Sequence, residues 1–388
     1  MSGAVPQSRP HFAALDGFRG LLALVVAVYH TIWLSWPNSS AFLNNGAVII
    51  DLFFAFSGFL MCTLYARSMA GDGRIRDFMT KRAARLMPLH LFMLAAFAAF
   101  AVARLLAHDF GIAGREAGEI LPFEPGAAES WRNLAAHLTL THAMGGADRL
   151  AFNPPSWTVG AEFYTYALFA GVAAVFGRKL WQGYGIAAII ALTVALYAAL
   201  FAVAPDMDLT HDLGFLRCVA GFTVGALAWR ARDHGWFELM RRASLWEWLI
   251  LLGAVAFVVW CGGGAQFLVG PVLFGFVVVF TQDRGAISRW LAAPVFGFLA
   301  RISYSVYMVH VLIAIGFDIA LGLLLGGTWP EWRVTESFGT VLLVPYLAVV
   351  IGVSTLTYSF VEVPGGRWMR RRLRASVPPA LDAPTARA

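Results

Sequence analysis

Charge is what this chain has least of: Asp, Glu, Lys and Arg together make up 13% of its 388 residues, about half the share found in an ordinary soluble domain. A water-soluble fold of this length needs far more polar surface, so the soluble globular classes are excluded. Cysteine is scarcer still. Cys62, Cys218 and Cys261 are the whole set, far apart and each inside an apolar block. They form neither a disulfide framework nor a metal site and read as small packing residues. A cleavable leader is also missing from the start of the sequence. Residues 1–10 are polar and the first apolar block is followed by another, so that block is expected to be retained. No internal repeat of the kind that builds many transporters is visible.

What is abundant is apolar length. Hydrophobic residues make up 59% of the chain and come in blocks, several of them reaching the ~18 residues that cross a hydrocarbon core of about 30 Å. The expected fold is therefore all-α, a polytopic membrane helix bundle with the bilayer as its surroundings. The pattern predicts ten spans, at about 17–36, 47–66, 86–106, 156–176, 185–204, 213–230, 246–262, 265–281, 301–325 and 339–361. The seventh and eighth are short and joined at Gly262-Gly263-Gly264, and 287–300 reads as an interfacial helix feeding the ninth.

The net charge of +6 does not point to nucleic acid, because the basic residues fall in short runs between the apolar blocks. One set of connections carries Lys81, Arg82, Arg85, Arg178, Lys179, Arg230, Arg284 and Arg289, and the tail adds Arg367, Arg370, Arg371 and Arg372. The alternate connections are poor in Lys and Arg, and one holds Asp206, Asp208 and Asp212. By the positive-inside rule both termini are expected in the cytosol. The expected divisions are a cytosolic N-terminus at 1–16, a membrane domain at 17–361 and a basic, then disordered, cytosolic tail at 362–388. The one long outer loop, 107–155, contains Trp131, His137 and His142; a functional cap and a structural plug fit it equally.

Ionisable groups inside spans are costly, so each is a functional candidate. His30 lies thirteen residues into the first span, about 20 Å along it at 1.5 Å per residue. Asp51 and Glu162 lie about 6 and 9 Å below the outer ends of their spans by the same rise. The three are expected in one layer, where an imidazole can take a hydroxyl proton and a carboxylate can support the cation that forms. A polar cluster that only ties helices together fits the spacing too. Arg19 stands eleven residues before His30 on the same face, about 16 Å away, and Arg82 and Arg85 share a face at the cytosolic mouth of the third span. Guanidinium groups suit phosphates. A ligand with phosphates inside and a long thin arm reaching outward, such as a pantetheine thioester, fits that layout. Plain topology duty also explains Arg82 and Arg85.

Five segments carry a family resemblance. Asp16-Gly17-Phe18-Arg19-Gly20 with His30 is similar to the opening motif of the acyltransferase 3 family. The run from Asp51 to Leu60, the Arg82-Ala83-Ala84-Arg85 segment, the Pro155-Ser156-Trp157-Thr158 segment with Glu162 and Tyr166, and the Ile302-Ser303-Tyr304-Ser305-Val306-Tyr307-Met308-Val309-His310 segment resemble the family's later signatures in order. The resemblance spans nearly the whole chain. It implies a ten-helix enzyme of a bacterial inner membrane that moves an acyl group, by expectation acetyl, from cytosolic acyl-CoA (acetyl-CoA) to a hydroxyl. The implied acceptor is a glycan, a glycolipid or another envelope or exported molecule. Acyl-CoA is then a co-substrate, with no cofactor or metal permanently bound. It implies catalytic roles for His30, Glu162 and Asp51 and donor binding by Arg19, Arg82 and Arg85, with His310, Tyr166 and Trp157 in support; Arg217, near the outer end of the sixth span, joins the support group by its position. Arg217 is favoured as a counter-ion for Asp51 or Glu162, His90 as a structural residue and Ser57 as a small packing residue. Gly160 departs from the family's usual Ser and Thr165 from its Phe, which puts an unusual acceptor pocket among the expectations. Direct transfer and an acyl-enzyme intermediate both remain open. A proton-coupled transporter of an anionic solute would use the same His and acids, and the product distinguishes the two.

Overall fold

In the computed structural model, which describes residues 12–66, 72–112, 120–233 and 242–375, the chain is helical throughout and the described residues contain no strand. The principal helices are α1 (Ala13–Tyr29), α2 (Ile49–Tyr65), α3 (Asp72–Asp109), α4 (Trp131–Leu138), α5 (Trp157–Phe176), α6 (Gly183–Val203) and α7 (Gly214–Asp233). They continue as α8 (Ala243–Trp260), α9 (Val269–Phe280), α10 (Ala286–Leu291), α11 (Pro294–Leu325), α12 (Glu336–Thr357) and α13 (Val363–Ala375).

Among the described residues, 8 helical stretches are long and apolar enough to cross a membrane. The protein is an integral membrane protein. The two expected spans outside that set are α1, at 17 residues, and α7, which carries Arg217, Arg230 and Arg232. Both belong to the best-packed part of the bundle, α1 against α11 and α2 against α7. A helix enclosed by other helices need not be as apolar as one that meets lipid. Small residues make the second contact close. A side chain at Gly58 would overlap the Phe222 carbonyl, and one at Gly225 the Ala55 carbonyl, so the two backbones touch where glycine alone fits.

Several boundaries differ from the sequence expectation. The first helix starts at Ala13, where the Asp283 carboxylate accepts from the Ala13 and Ala14 N–H groups at 3.2 and 2.9 Å. It stops at Tyr29 instead of residue 36, because the Trp33 to Ser40 stretch turns back on polar contacts such as Ser35–Asn38. His30 is therefore a C-terminal cap at the end of the helix. The third helix begins at Asp72, which places Arg82 and Arg85 within it rather than at its mouth. The expected interfacial piece at 287–300 divides into α10 and the first turns of α11, with α10 capped by the buried Glu247 carboxylate. Helical packing continues past residue 361. Glu362 is buried, and the basic run that follows forms α13, whose Gly365 and Gly366 pack on Pro88 and the Ala84 carbonyl of α3. Pro88 has no N–H for that carbonyl, so the closest approach falls where α3 lacks a rung. Residues 1–11 of the expected N-terminal segment and 376–388 of the expected tail lie outside the described residues.

Candidate active site

Two cavities adjoin each other, sharing Ile50 and Tyr307 in their linings. The inner one, of about 190 Å³, is lined by Arg19, Arg82 and Arg85 together with Ser57, Glu162, Tyr166, Thr158, Tyr304 and Tyr307. Its three guanidinium groups differ in what already holds them. Arg19 stands 3.4 Å from Asp16. Arg85 is ion-paired with Glu362, whose second oxygen accepts from Ser305 Oγ at 2.8 Å. Arg82 sits among the rings of Tyr65, Phe78 and Tyr166, 5.7 to 5.9 Å from their centres. Its Nε is buried with no hydrogen-bond partner. No carboxylate is paired with Arg82 among the described residues, so its charge is free for an anion. The Glu162 carboxylate accepts from both Ser57 Oγ and the Tyr166 hydroxyl. Ser57 is thus a polar member of the cavity, not the packing residue expected from the sequence.

The outer cavity, of about 150 Å³, is lined by Tyr29, His30, Asp208, Thr210, Arg217, Trp157, Pro155 and Tyr307, among others. His30 Nδ1 is 2.9 Å from the Val26 carbonyl. A carbonyl can only accept, so Nδ1 carries the proton and Nε2 keeps a lone pair for use as a base. His310 has the same arrangement one helix away, with Nδ1 3.1 Å from the Val306 carbonyl and a buried Nε2 that meets no partner. The two imidazole rings are 5.0 Å apart. Tyr346 fixes this corner from α12, its hydroxyl within 3.1 Å of both the Ala27 and His310 carbonyls.

The single catalytic layer expected from the sequence is not what the fold builds. His30 faces the outer cavity and Glu162 the inner one, with no contact between them. Asp51 lines neither cavity. It is fully buried and bound by Arg217, with Nη2 at 2.8 Å and Nε at 3.1 Å, while the same guanidinium donates to the Ala47 and Leu209 carbonyls. Trp157 lies against that guanidinium at 5.5 Å. Asp51 and Arg217 thus form a pin between α2, α7 and the 206–212 loop. The counter-ion role for Arg217 holds, and the catalytic expectation for Asp51 has no geometric support.

The departures at Gly160 and Thr165 have a packing origin. A side chain at Gly160 would strike the Leu140 carbonyl, and Thr165 Oγ is turned back to the Ala161 carbonyl at 2.8 Å. Neither residue lines the inner or the outer cavity. Leu140 belongs to the 107–155 loop, whose second half is packed down as a cap. His137 and His142 stack at 4.1 Å between ring centres, and His90 of α3 continues the stack at 5.8 Å from His142. Each ring is held by backbone carbonyls, His90 by that of His137 and His142 by that of Ser156. The structural reading of His90 therefore holds. Three residues of the site escaped the sequence reading. Glu362 had a usable signal, a lone acid ahead of an arginine run, and Tyr307 lay unexamined inside a quoted motif. Tyr346 had none.

A bundle of membrane helices enclosing two adjoining cavities, one lined by three arginines and one by a histidine with a free ring nitrogen, fits the class of membrane-embedded group-transfer enzymes. The family model described as acyltransferase domain matches residues 12–361, and the chain belongs to that family. It is a membrane acyltransferase. It is 26% identical to acyltransferase MdmB of Streptomyces mycarofaciens over 407 aligned positions, covering 95% of this chain and 96% of that protein. It is also 37% identical to protein 2 in the picA locus of Rhizobium radiobacter, over 24% of this chain and 48% of that protein. No solved structure matches.

Proposed function

We propose that this enzyme moves an acyl group, acetyl in the first instance, from acyl-CoA on the cytosolic side to a hydroxyl that enters from the other face. The two-cavity geometry carries the reading. The inner cavity offers cationic groups for the phosphates of CoA, Arg82 foremost because no carboxylate among the described residues neutralises it, with Arg19 and Arg85 beside it. The outer cavity offers His30 as the base. The acceptor hydroxyl gives its proton to His30 Nε2 as its oxygen bonds to the acyl carbon. The C–S bond then breaks, and the thiolate takes the proton back from the imidazolium and leaves as CoA thiol. Acyl-CoA is a co-substrate in this scheme, not a resident cofactor. Glu162 is held by Ser57 and Tyr166 in the donor cavity and orders the polar wall past which the thioester arm runs. We place both termini in the cytosol and the protein in a bacterial inner membrane, on the distribution of Lys and Arg. The acceptor class we propose is a carbohydrate or another envelope or exported molecule.

The test is reconstitution. Purified protein in liposomes, given acetyl-CoA labelled in the acetyl group and a hydroxyl-rich envelope extract, is expected to transfer label to an extract component. Mass spectrometry should find that component heavier by one acetyl group, with loss of the product in His30→Ala. Uptake of an unmodified solute with no CoA released would overturn the proposal.

A further inference from the structure

The two cavities share a wall, and its centre is one side chain. Tyr307 of α11 lines both cavities, as does Ile50 of α2. At the start of α5 the boundary falls between Pro155 and Trp157, which line the outer cavity, and Thr158, which lines the inner one. The Tyr307 hydroxyl is bound to both sides of that boundary. It donates to the Pro155 carbonyl at 3.0 Å and accepts from Thr158 Oγ at 3.1 Å. Phe53 of the inner cavity backs the ring from α2 at 6.5 Å between centres. The tyrosine is thus latched across the passage between the donor arginines and His30.

We propose that Tyr307 is the partition that decides whether the acyl group goes to the acceptor hydroxyl or to water, an inference that rests on the acyl-transfer reading. Physical chemistry demands such an element. The outer cavity is wet, since Asp208 on its wall is exposed, and water is the most concentrated nucleophile there. With an open passage, a water oxygen would bond to the acyl carbon, the C–S bond would break, and CoA thiol and a free carboxylic acid would leave with nothing acylated. Closing a site against water is a standard way to suppress that side reaction. Acceptor binding beside Tyr307, on the outer-cavity wall, is then what displaces the ring. Tyr307 acts by position and is not assigned a proton-transfer role.

The partition can be read without turnover. In a protein whose Cys62, Cys218 and Cys261 are replaced by Ala, Ser303→Cys puts a thiol in the inner cavity, one turn inward from Tyr307. Thr210→Cys puts one in the outer cavity as a control. A small charged methanethiosulfonate is applied to intact cells and to inside-out vesicles. With Tyr307 present, Ser303→Cys should react from one face only. Tyr307→Ala should raise its rate from the opposite face by about tenfold or more, and Tyr307→Leu should do the same should the alanine protein fail to fold. Tyr307→Phe keeps the ring and loses both hydrogen bonds, so its rate should lie below that of Tyr307→Ala. On acetyl-CoA with no acceptor, Tyr307→Ala should also release CoA faster than wild type while acceptor acylation falls. Unchanged opposite-face labelling of Ser303→Cys, with Thr210→Cys still reactive, overturns the proposal. So does a fall in CoA release in equal proportion to transfer. Failure of the acyl-transfer reading has a different signature, a wild-type protein that releases no CoA in any condition, and the labelling then judges the partition by itself.

Discussion

At the scale of single residues, two substitutions separate chemistry from structure. His30 has its Nδ1–H fixed on Val26 and a free Nε2 toward the outer cavity, so replacing it should remove a base and spare the donor site. His30→Gln is expected to lose about 10²- to 10⁴-fold in acyl transfer, the usual worth of a positioned base. Its acyl-CoA affinity should stay within twofold or so, because Arg19, one of the arginines proposed to hold the phosphates, is about three turns away. A stable, donor-binding and fully active His30→Gln protein would remove His30 from the mechanism. The arginines should differ from one another. Arg82→Ala takes away a charge that no carboxylate among the described residues neutralises, and a charge-assisted phosphate contact is worth about 1.5–3 kcal/mol, so acyl-CoA affinity should drop about tenfold or more with stability intact. Arg85→Ala instead strands Glu362, which is 3% exposed. It should cost thermal stability as well as affinity, because an unpaired buried charge is strongly destabilising. Titrating acyl-CoA and melting both purified variants checks the contrast, and identical behaviour would contradict it.

At the scale of elements, the inner pair α2 and α7 depends on having no side chain at its contact. Gly225→Leu should force the helices apart at Ala55 and Phe59. A loss of several kcal/mol or failure to accumulate in the membrane is expected, since overpacking by even a few methylenes commonly costs 1–3 kcal/mol. The same change at Gly253, where nothing lies within 4 Å, should be tolerated. The outer cap answers to pH. Burial holds His137 down to about 4 and His142 down to about 3, against about 6.5 for a free imidazole. The ring of His90 and the carbonyls of Asn133, Ala136 and Ser156 face them. Below pH 6.5 or so the unfolded cap takes up protons that the folded cap refuses, so stability must fall as pH falls from about 6.5 toward 4. Hydrogen exchange across 131–156 should therefore accelerate between pH 7.5 and pH 5, after correction for the intrinsic rate. A His142→Gln protein should show a smaller change over that window.

At the scale of the whole molecule, the two cavities take their α1 residues from opposite ends of that helix, Arg19 for the inner and His30 for the outer, which makes orientation matter to the proposed function. Arg132→Cys, on the exposed side of α4, should react with an impermeant thiol reagent in whole cells. Reaction only after lysis would put the outer cavity on the cytosolic side and end the donor-inside scheme. This is also the scale at which the sequence was most legible. A stretch of about 20 apolar residues must be a helix in a bilayer, because no other unbroken segment satisfies its own backbone there. The helical fold follows from composition and block length without reference to any neighbour.

The same locality explains which residues could be named in advance. An ionisable group inside an apolar block announces itself, so His30, Glu162, Arg82, Arg85 and His310 were visible one at a time, and the motif order supplied the family. What composition and spacing leave open is which of these residues meet. His30 and Glu162 lie near the outer ends of their helices on a linear count, yet α1 stops at Tyr29 and α5 turns Glu162 inward, so they occupy different cavities. Asp51 looked as catalytic as Glu162 until Arg217, 166 positions away, took both its oxygens. Tyr307 and Tyr346 are ordinary tyrosines in apolar helices, and only packing gives the first a place in both cavity walls and the second a seat beneath His310. A bilayer dictates helices segment by segment, whereas partnership between side chains depends on helix rotation and tilt, which are set by contacts such as Gly58 on Phe222 and decided in three dimensions.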